Sequence, residues 1–174
     1  WVGAGARVTI EHALRHQSID YDDAYLDTLL ERFLAHYRSH IADRSVIYPG
    51  IETTLAYLQR SKLGAGVVTN KYEDLSISLI EALAIDHLFG AVIGGDTLPV
   101  RKPDPAPLLE ACRRLGCDPV RTLMVGDSKT DVDAARNAGI DVVCVSYGYH
   151  GTHAPDSLGA DLVVDSVAEL VPAE

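Results

Sequence analysis

The chain has 174 residues, of which 47% are hydrophobic and 23% charged. These values are typical of a globular protein and exclude a disordered, collagen-like or coiled-coil chain. The 25 acidic residues outnumber the 15 basic ones and give a formal net charge of −10, which argues against nucleic-acid binding, since that needs clustered Lys and Arg. No segment approaches the roughly 20 apolar residues of a membrane-spanning helix. We therefore expect one ordinary domain, or one domain with a small appendage.

The first part of the chain, residues 1–48, has a helical pattern. Apolar residues at three- and four-residue spacing predict a helix of about five turns over 21–40. A shorter helix is predicted over 7–16. Pro49-Gly50 then interrupts the pattern, as a hinge or turn does.

After residue 50, short apolar runs alternate with helical patterns. This texture predicts an α/β fold with a parallel sheet covered by helices on both faces. The predicted strands are 65–69, 91–93, 121–125, 141–145 and 161–164. The predicted helices are 51–59, 74–83, 106–115 and 130–138, with a helical turn at 167–170.

Polar side chains follow two of these strands. Thr69 and Asn70 come directly after the first, and Asp127 follows the third, with Asp131 further on. Lys102 lies between these segments and precedes a proline. Because ligands of such sheets bind at the carboxyl ends of the strands, we expect these groups to collect at one rim.

Asp127 and Asp131 are four residues apart across a strand-to-helix turn, a spacing that lets both carboxylates face one site. Two carboxylates and a few waters suit Mg²⁺, which prefers oxygen ligands. The alternative is that Asp127 caps a helix and Asp131 is a solvated surface acid. Gly126 and the strong strand before the pair favour a site.

The other two groups fit phosphoryl chemistry. The Thr69 hydroxyl can donate to a phosphoryl oxygen, although β-propensity alone accounts for many strand threonines. Pro103 restricts Lys102 to an extended backbone, which directs one cation. A fixed cation beside a Mg²⁺ site suits phosphoryl transfer, which depends on positioning and charge neutralisation. The alternative is an exposed loop lysine.

The three cysteines, Cys112, Cys117 and Cys144, are odd in number and lack metal-ligand spacing. This pattern predicts buried, reduced thiols in a cytoplasmic protein.

Taken together, these stretches resemble the haloacid dehalogenase (HAD) superfamily of phosphatases. The second motif of that family reads here Val67-Val68-Thr69-Asn70, the third is Lys102 in Lys102-Pro103-Asp104-Pro105, and the fourth is Gly126-Asp127-Ser128-Lys129-Thr130-Asp131. Residues 94–109, 134–139 and 147–149 are further similar to the bacterial phosphoglycolate phosphatases.

The resemblance implies a three-layer, Rossmann-like α/β core over residues 49–174. It also implies that residues 1–48 form part of a helical cap that closes over the substrate. Thr69 and the backbone at Asn70 would hold the phosphoryl oxygens, and Lys102 would neutralise the phosphate and the nucleophile. Asp127 would bind Mg²⁺, and Asp131 would bind it or orient Lys102.

The implied function is Mg²⁺-dependent hydrolysis of a small phosphorylated metabolite, first of all 2-phosphoglycolate to glycolate and phosphate. Other phosphatases of the family, acting on sugar phosphates or pyrophosphate, and phosphomutases are alternatives. An alternative of another class is a catalytically inactive binding or structural module. Neither nucleic acid nor membrane is expected as a partner, and the protein is expected to be a monomer or homodimer.

The chain departs from the family at the first motif, Asp-x-Asp-Gly-Thr, which carries the nucleophile and the general acid. This motif does not occur in the sequence. Asp20-Tyr21-Asp22 has the spacing but no apolar strand before it, and Asp131-Val132-Asp133 lies inside the fourth motif. We therefore expect the motif upstream of Trp1. The chain would then lack its first, central strand, expose two strand edges and show little or no turnover by itself.

Overall fold

The computed structural model describes residues 5–172, and within this range helices and parallel strands alternate as predicted. The α-helices are α1 (Ala6–His16), α2 (Asp23–Ser39), α3 (Ile51–Arg60), α4 (Glu73–Ala82), α5 (Ala106–Leu115) and α6 (Lys129–Ala138). The strands are β1 (Gly66–Val68), β2 (Ala91–Ile93), β3 (Leu123–Gly126), β4 (Asp141–Val145) and β5 (Leu162–Val164). The chain therefore has the predicted α/β fold.

The ends of several helices follow from local chemistry. The Asp22 carboxylate accepts a backbone N–H of the first turn of α2 at 2.8 Å, which satisfies a donor that has no partner inside the helix. Helices α5 and α6 end at Gly116 and Gly139, both with φ of 67°, a left-handed conformation that glycine adopts at little cost. Strand β3 starts later than predicted because Pro119–Arg121 forms a 3₁₀ turn.

The strands form two parallel groups. Strand β1 pairs with β2, while β4 pairs with both β3 and β5. Within residues 5–172, β1 and β3 do not pair with each other, so each has an edge without a strand partner. The central strand that the family resemblance predicts between β1 and β3 stays a prediction.

Strand β4 is the centre of the core. Its residues Val142 and Cys144 pack into a cluster with α5 and α6. Val143 and Val145 point to the opposite face, where they pack with Ile51 of α3 and the C-terminal 3₁₀ turn Val167–Leu170. Helices therefore cover both faces of β4, which makes this part of the molecule three layers thick.

The predicted helix cover on both faces of the sheet does not extend to β3, one face of which is exposed. Met124 packs against the core, but Leu123 and Val125 on the other face are 47% and 39% exposed. Helix α3 packs over β4 and β5, and the described residues leave this face of β3 open. Strand β3 therefore carries apolar side chains that no described residue covers on this face.

Helix α2 contacts the core beside the end of β1. Arg38 forms an ion pair with Asp74 at 2.8 Å, and the Lys71 ammonium donates to the Tyr37 hydroxyl at 2.7 Å. Helix α1 packs along α2.

The division into a helical cap over 1–48 and a core over 49–174 remains our proposal. Within residues 5–172, no helix is both long and apolar enough to span a membrane.

We expect Ile93→Ala to lower the free energy of unfolding by about 2–5 kcal/mol, because it leaves a cavity in the core. Ile93 in β2 is 0% exposed. Urea denaturation measures the change. The control Val120→Ala alters a residue that is 75% exposed and should stay within about 0.5 kcal/mol of the parent. Equal losses in both variants would contradict this view of the core.

Candidate active site

A cavity of about 110 Å³ lies at the carboxyl ends of β1 and β3. It has room for several water molecules, since a cavity needs about 10–15 Å³ of such volume to hold one. The side chains predicted to share one rim all line it. The lining residues are Thr69, Asn70, Lys102, Asp127, Ser128, Thr130, Asp131 and Tyr149.

Lys102 is buried, with 8% of its surface exposed, so the alternative of an exposed loop lysine is wrong. Its ammonium donates to the Val68 carbonyl oxygen and to Asp131 Oδ1, both at 2.6 Å. An ammonium has three N–H donors, so the third remains for a group in the cavity. The backbone of this segment is held as well, because the Asn70 side-chain amide donates to the Lys102 carbonyl at 3.0 Å. The Lys102–Pro103 peptide bond is cis.

Asp131 is also buried, and it is 6% exposed. While Oδ1 accepts from Lys102, Oδ2 accepts from the Asp127 N–H at 3.2 Å and from the Ser128 N–H and hydroxyl at 3.1 and 2.6 Å. Gly126 permits this arrangement, since a Cβ there would lie 2.4 Å from Asp131 Cβ. The alternative of an Asp127 cap and a solvated Asp131 is wrong, because Ser128 caps α6 in a capping box with Asp131.

The surroundings of Asp131 favour its charged form. Burial by itself would raise the pKa of this carboxyl, but attraction to Lys102 and hydrogen bonds from Lys102, Ser128 and the Asp127 N–H outweigh it. The pKa of Asp131 therefore lies below its usual value. Asp131 and Lys102 form a charged pair at neutral pH.

Asp127 presents its carboxylate differently. Its Oδ2 accepts the Tyr149 N–H at 2.8 Å, whereas Oδ1 has no hydrogen-bond partner in the part of the chain that the structure describes. Mg²⁺ is commonly held by one or two carboxylates together with waters and substrate phosphates, and a half-buried carboxylate beside this cavity fits that chemistry. Across residues 5–172, no cluster of three or more His, Cys, Asp or Glu side chains forms a complete metal cage.

Thr69 is fixed at the end of β1. Its N–H donates to the Ile93 carbonyl at 2.9 Å, and its hydroxyl oxygen accepts the Lys71 N–H at 3.1 Å. Since the hydroxyl accepts in this bond, its hydrogen remains to donate elsewhere. The loop after β2 supports this turn, because the Gly95 N–H donates to the Lys71 carbonyl at 2.7 Å.

Three further residues line the cavity without having been predicted from the sequence, namely Ser128, Thr130 and Tyr149. Ser128 and Thr130 lie inside the fourth motif, in which only the two aspartates were predicted to be site residues. Tyr149 follows β4, and the rule that groups after parallel strands meet at one rim applies to β4 as it does to β1 and β3. The position of Tyr149 after β4 therefore could have predicted its place at the cavity.

Among the described residues, no cysteine lines this cavity. Cys112 and Cys144 are buried free thiols as predicted, whereas Cys117 is exposed, so the prediction of burial is wrong for Cys117. Cys144 lies in β4. Burial raises its pKa, and the charges of Asp131 and Asp127 raise it further. The Cys144 thiol therefore stays protonated, which makes it a poor nucleophile.

Comparison with known proteins places the chain among hydrolases. The family of haloacid dehalogenase-like hydrolases matches residues 5–145. A phosphoglycolate phosphatase of Mesorhizobium japonicum is 46% identical over 153 residues, which cover 88% of this chain and 67% of that protein. The chain spans about two thirds of the length of such curated relatives.

Solved structures agree with this placement. The crystal structure of a predicted phosphoglycolate phosphatase from Haemophilus somnus has a TM-score of 0.90 and 32% identity, and the match covers 98% of this chain and 77% of that one. CbbY from Rhodobacter sphaeroides, crystallised with phosphate, has a TM-score of 0.82 and 25% identity, with 96% and 75% covered.

We expect Asp131→Asn to lower the free energy of unfolding by about 3–5 kcal/mol, because it leaves the buried Lys102 charge without its partner. Urea denaturation near neutral pH measures the change. The matched control is Asp133→Asn on the same helix, which breaks an exposed ion pair with Lys129 and should cost less than about 1 kcal/mol. A loss of that small size in both variants would contradict the role of the buried pair.

The stability of the chain should depend on pH through Asp131. The folded-state pKa of this carboxyl is lowered, so its contribution to the free energy of unfolding is fully present above the unfolded pKa of about 3.9. The contribution is lost as pH falls through the lower, folded-state value. Carbon NMR titration of the Asp131 carboxyl should give a midpoint below about 3.9 in the parent.

The same titration in Lys102→Met is the control. Burial then acts on Asp131 without the opposing ammonium, so the midpoint should move upward. An unchanged midpoint would show that Lys102 does not set the charge of Asp131.

Proposed function

This chain belongs to the haloacid dehalogenase-like hydrolase family, and we propose that it is a Mg²⁺-dependent phosphomonoester hydrolase acting on 2-phosphoglycolate. The observation that carries the proposal is the buried Lys102–Asp131 pair, which lines one cavity together with Thr69 and Asp127. A buried cation, a hydroxyl donor and a carboxylate are together suited to bind a phosphoryl group and its metal ion.

Phosphate binding is assigned to Lys102, Thr69 and the backbone at Asn70. The third N–H of the Lys102 ammonium would donate to a phosphoryl oxygen and neutralise part of its charge. The Thr69 hydroxyl would donate to a second oxygen, since it already accepts from the Lys71 N–H. The Asn70 side chain acts indirectly, through its bond to the Lys102 carbonyl.

The two acids divide the remaining work. We assign Asp127 as the Mg²⁺ ligand through Oδ1, and Asp131 as the residue that orients Lys102, because both oxygens of Asp131 are already hydrogen-bonded. When bound, Mg²⁺ would offset the negative charge of the phosphoryl group. The role of Asp131 as a direct ligand is less favoured, since a metal would have to displace these bonds.

The nucleophile is assigned to a segment outside these 174 residues. Asp22 caps α2, and neither it nor Asp20 lines the cavity. A strand inserted between β1 and β3 would pair with the free edge of each and end between Thr69 and Asp127. An aspartate at that end would attack the phosphorus and break its bond to the ester oxygen, and the leaving alcohol would take a proton from the second aspartate of the same motif. Water would then hydrolyse the aspartyl-phosphate, which releases phosphate and restores the carboxylate.

Sequence identity to the named relatives favours 2-phosphoglycolate over other substrates. Relatives named phosphoglycolate phosphatase reach 46% identity, whereas CbbY, which has been crystallised with xylulose-1,5-bisphosphate, reaches 25%. A sugar bisphosphate is therefore the second candidate substrate. We also propose a cytoplasmic location, in keeping with the free cysteines of the described residues.

The test is phosphate release from a panel of phosphomonoesters that includes 2-phosphoglycolate and a sugar bisphosphate. We expect little or no release by this chain alone. A chain extended at its N-terminus by an apolar strand ending in Asp-x-Asp-Gly-Thr should release phosphate from 2-phosphoglycolate, and only with Mg²⁺. Within the extended chain, Lys102→Met should abolish release, because it removes the cation while keeping the side-chain length.

Lys129→Met is the matched control, since Lys129 is exposed and pairs with Asp133. It should leave the rate unchanged. Release of no phosphate from any ester by the extended chain with Mg²⁺ would favour an inactive binding module. Phosphorus NMR would then test whether such a module binds inorganic phosphate.

A further inference from the structure

We propose that the loop after β4, residues 147–149, positions the Asp127 carboxylate for cation binding, with Gly148 and Tyr149 as positioning residues. This inference rests on the proposed function, in which Asp127 is the Mg²⁺ ligand. The loop lies far from Asp127 in sequence but contacts it directly in the fold.

The first contact is a hydrogen bond from the backbone. The Tyr149 N–H donates to Asp127 Oδ2 at 2.8 Å. A hydrogen bond to a charged carboxylate is stronger than one between neutral groups. It occupies one oxygen and leaves Oδ1, on the same carboxylate, as the oxygen that a cation can bind.

The second contact is steric. A Cβ added at Gly148 would lie 2.0 Å from Asp127 Cβ and 2.4 Å from Oδ2, far closer than two non-bonded atoms can approach. Gly148 is not among the glycines with positive φ. Its absence of a side chain therefore serves close approach to Asp127 and not an unusual backbone conformation.

The loop is itself held on both sides of Gly148. The Tyr147 ring packs against Tyr48 with centroids 4.7 Å apart. The His150 Nε2 lies 2.8 Å from the Val145 carbonyl oxygen at the end of β4. A donor anchored in this way is pre-organised, and such outer partners orient the ligands of metal sites.

Asp127 thus has two independent anchors. Its backbone N–H donates to Asp131 Oδ2 at 3.2 Å, which fixes the main chain from the β3–α6 turn. Its side chain is fixed by Tyr149 from the loop after β4. Only the second anchor selects which carboxylate oxygen faces the cavity.

The test is Gly148→Ala in the full 174-residue chain, with Mn²⁺ as the probe, since Mn²⁺ accepts the same oxygen ligands as Mg²⁺. NMR line broadening on titration with Mn²⁺ reports both the affinity and the place of binding. We expect Mn²⁺ to broaden the signals around Asp127 in the parent. In Gly148→Ala the affinity should fall roughly 10–100-fold, the range seen when an outer partner of a metal ligand is lost.

The amide proton of Tyr149 supplies a second readout. In the parent it should resonate downfield and exchange slowly with solvent, because it donates to a carboxylate. Both features should be lost in Gly148→Ala and in Asp127→Ala. Loss at Tyr149 in both variants, while the amides of the core strands keep their protection, is the signature of the Tyr149–Asp127 bond, since general loosening would expose those amides too.

Gly151→Ala, two residues beyond the loop of residues 147–149, is the matched control. Gly151 has φ of 66°, and a Cβ there would meet no atom within 4 Å. This variant strains the loop backbone without touching Asp127, so its Mn²⁺ affinity should equal that of the parent.

Three results would overturn the proposal. These are a parent chain without broadening around Asp127, a Gly148→Ala variant with parental affinity, and an equal loss in Gly151→Ala. The proposed function fails separately, through phosphate release, because a chain can position a cation at Asp127 without hydrolysing any ester.

Discussion

The site depends on one buried ion pair, Lys102 with Asp131. A charge taken out of water is strongly unfavourable unless it is paired and its remaining donors and acceptors are satisfied. Here the ammonium also donates to the Val68 carbonyl, and the carboxylate accepts three further hydrogen bonds. Because Val68 ends β1 and Asp131 follows β3, the pair holds together two strands that share no ladder in the described part of the chain.

This constraint explains why the two aspartates differ in spite of their shared motif. Asp131 is occupied by Lys102, by Ser128 and by the Asp127 N–H, and it is buried at the start of α6. Asp127 is left at the cavity with one carboxylate oxygen bonded to the loop after β4. Glycines make both arrangements possible, since Gly126 lets Asp131 approach the strand and Gly148 lets the loop approach Asp127. In the proposed function, the position of each aspartate relative to the end of β3 decides which one orients Lys102 and which one binds the cation.

The described fold is open at one place. Strands β1 and β3 each lack a partner on one edge, and Leu123 and Val125 expose apolar surface beside it. The groups suited to hold phosphate and a cation line the cavity at the ends of these same strands. The open strand edges and the proposed phosphoryl site therefore lie at the same place in the described fold.

The sequence by itself determined the alternation of helices and strands, the parallel pairing and five of the eight residues that line the cavity, because apolar periodicity and strand ends are local patterns. It could not show that Lys102 is buried, that Ser128 caps α6 or that one face of β3 is open, since these depend on which segments pack together. The contact of Tyr149 and Gly148 with Asp127 was likewise decided only by tertiary structure. It joins residues more than 20 positions apart, and its physical basis, a close steric approach and one backbone hydrogen bond, leaves no periodic trace in the sequence.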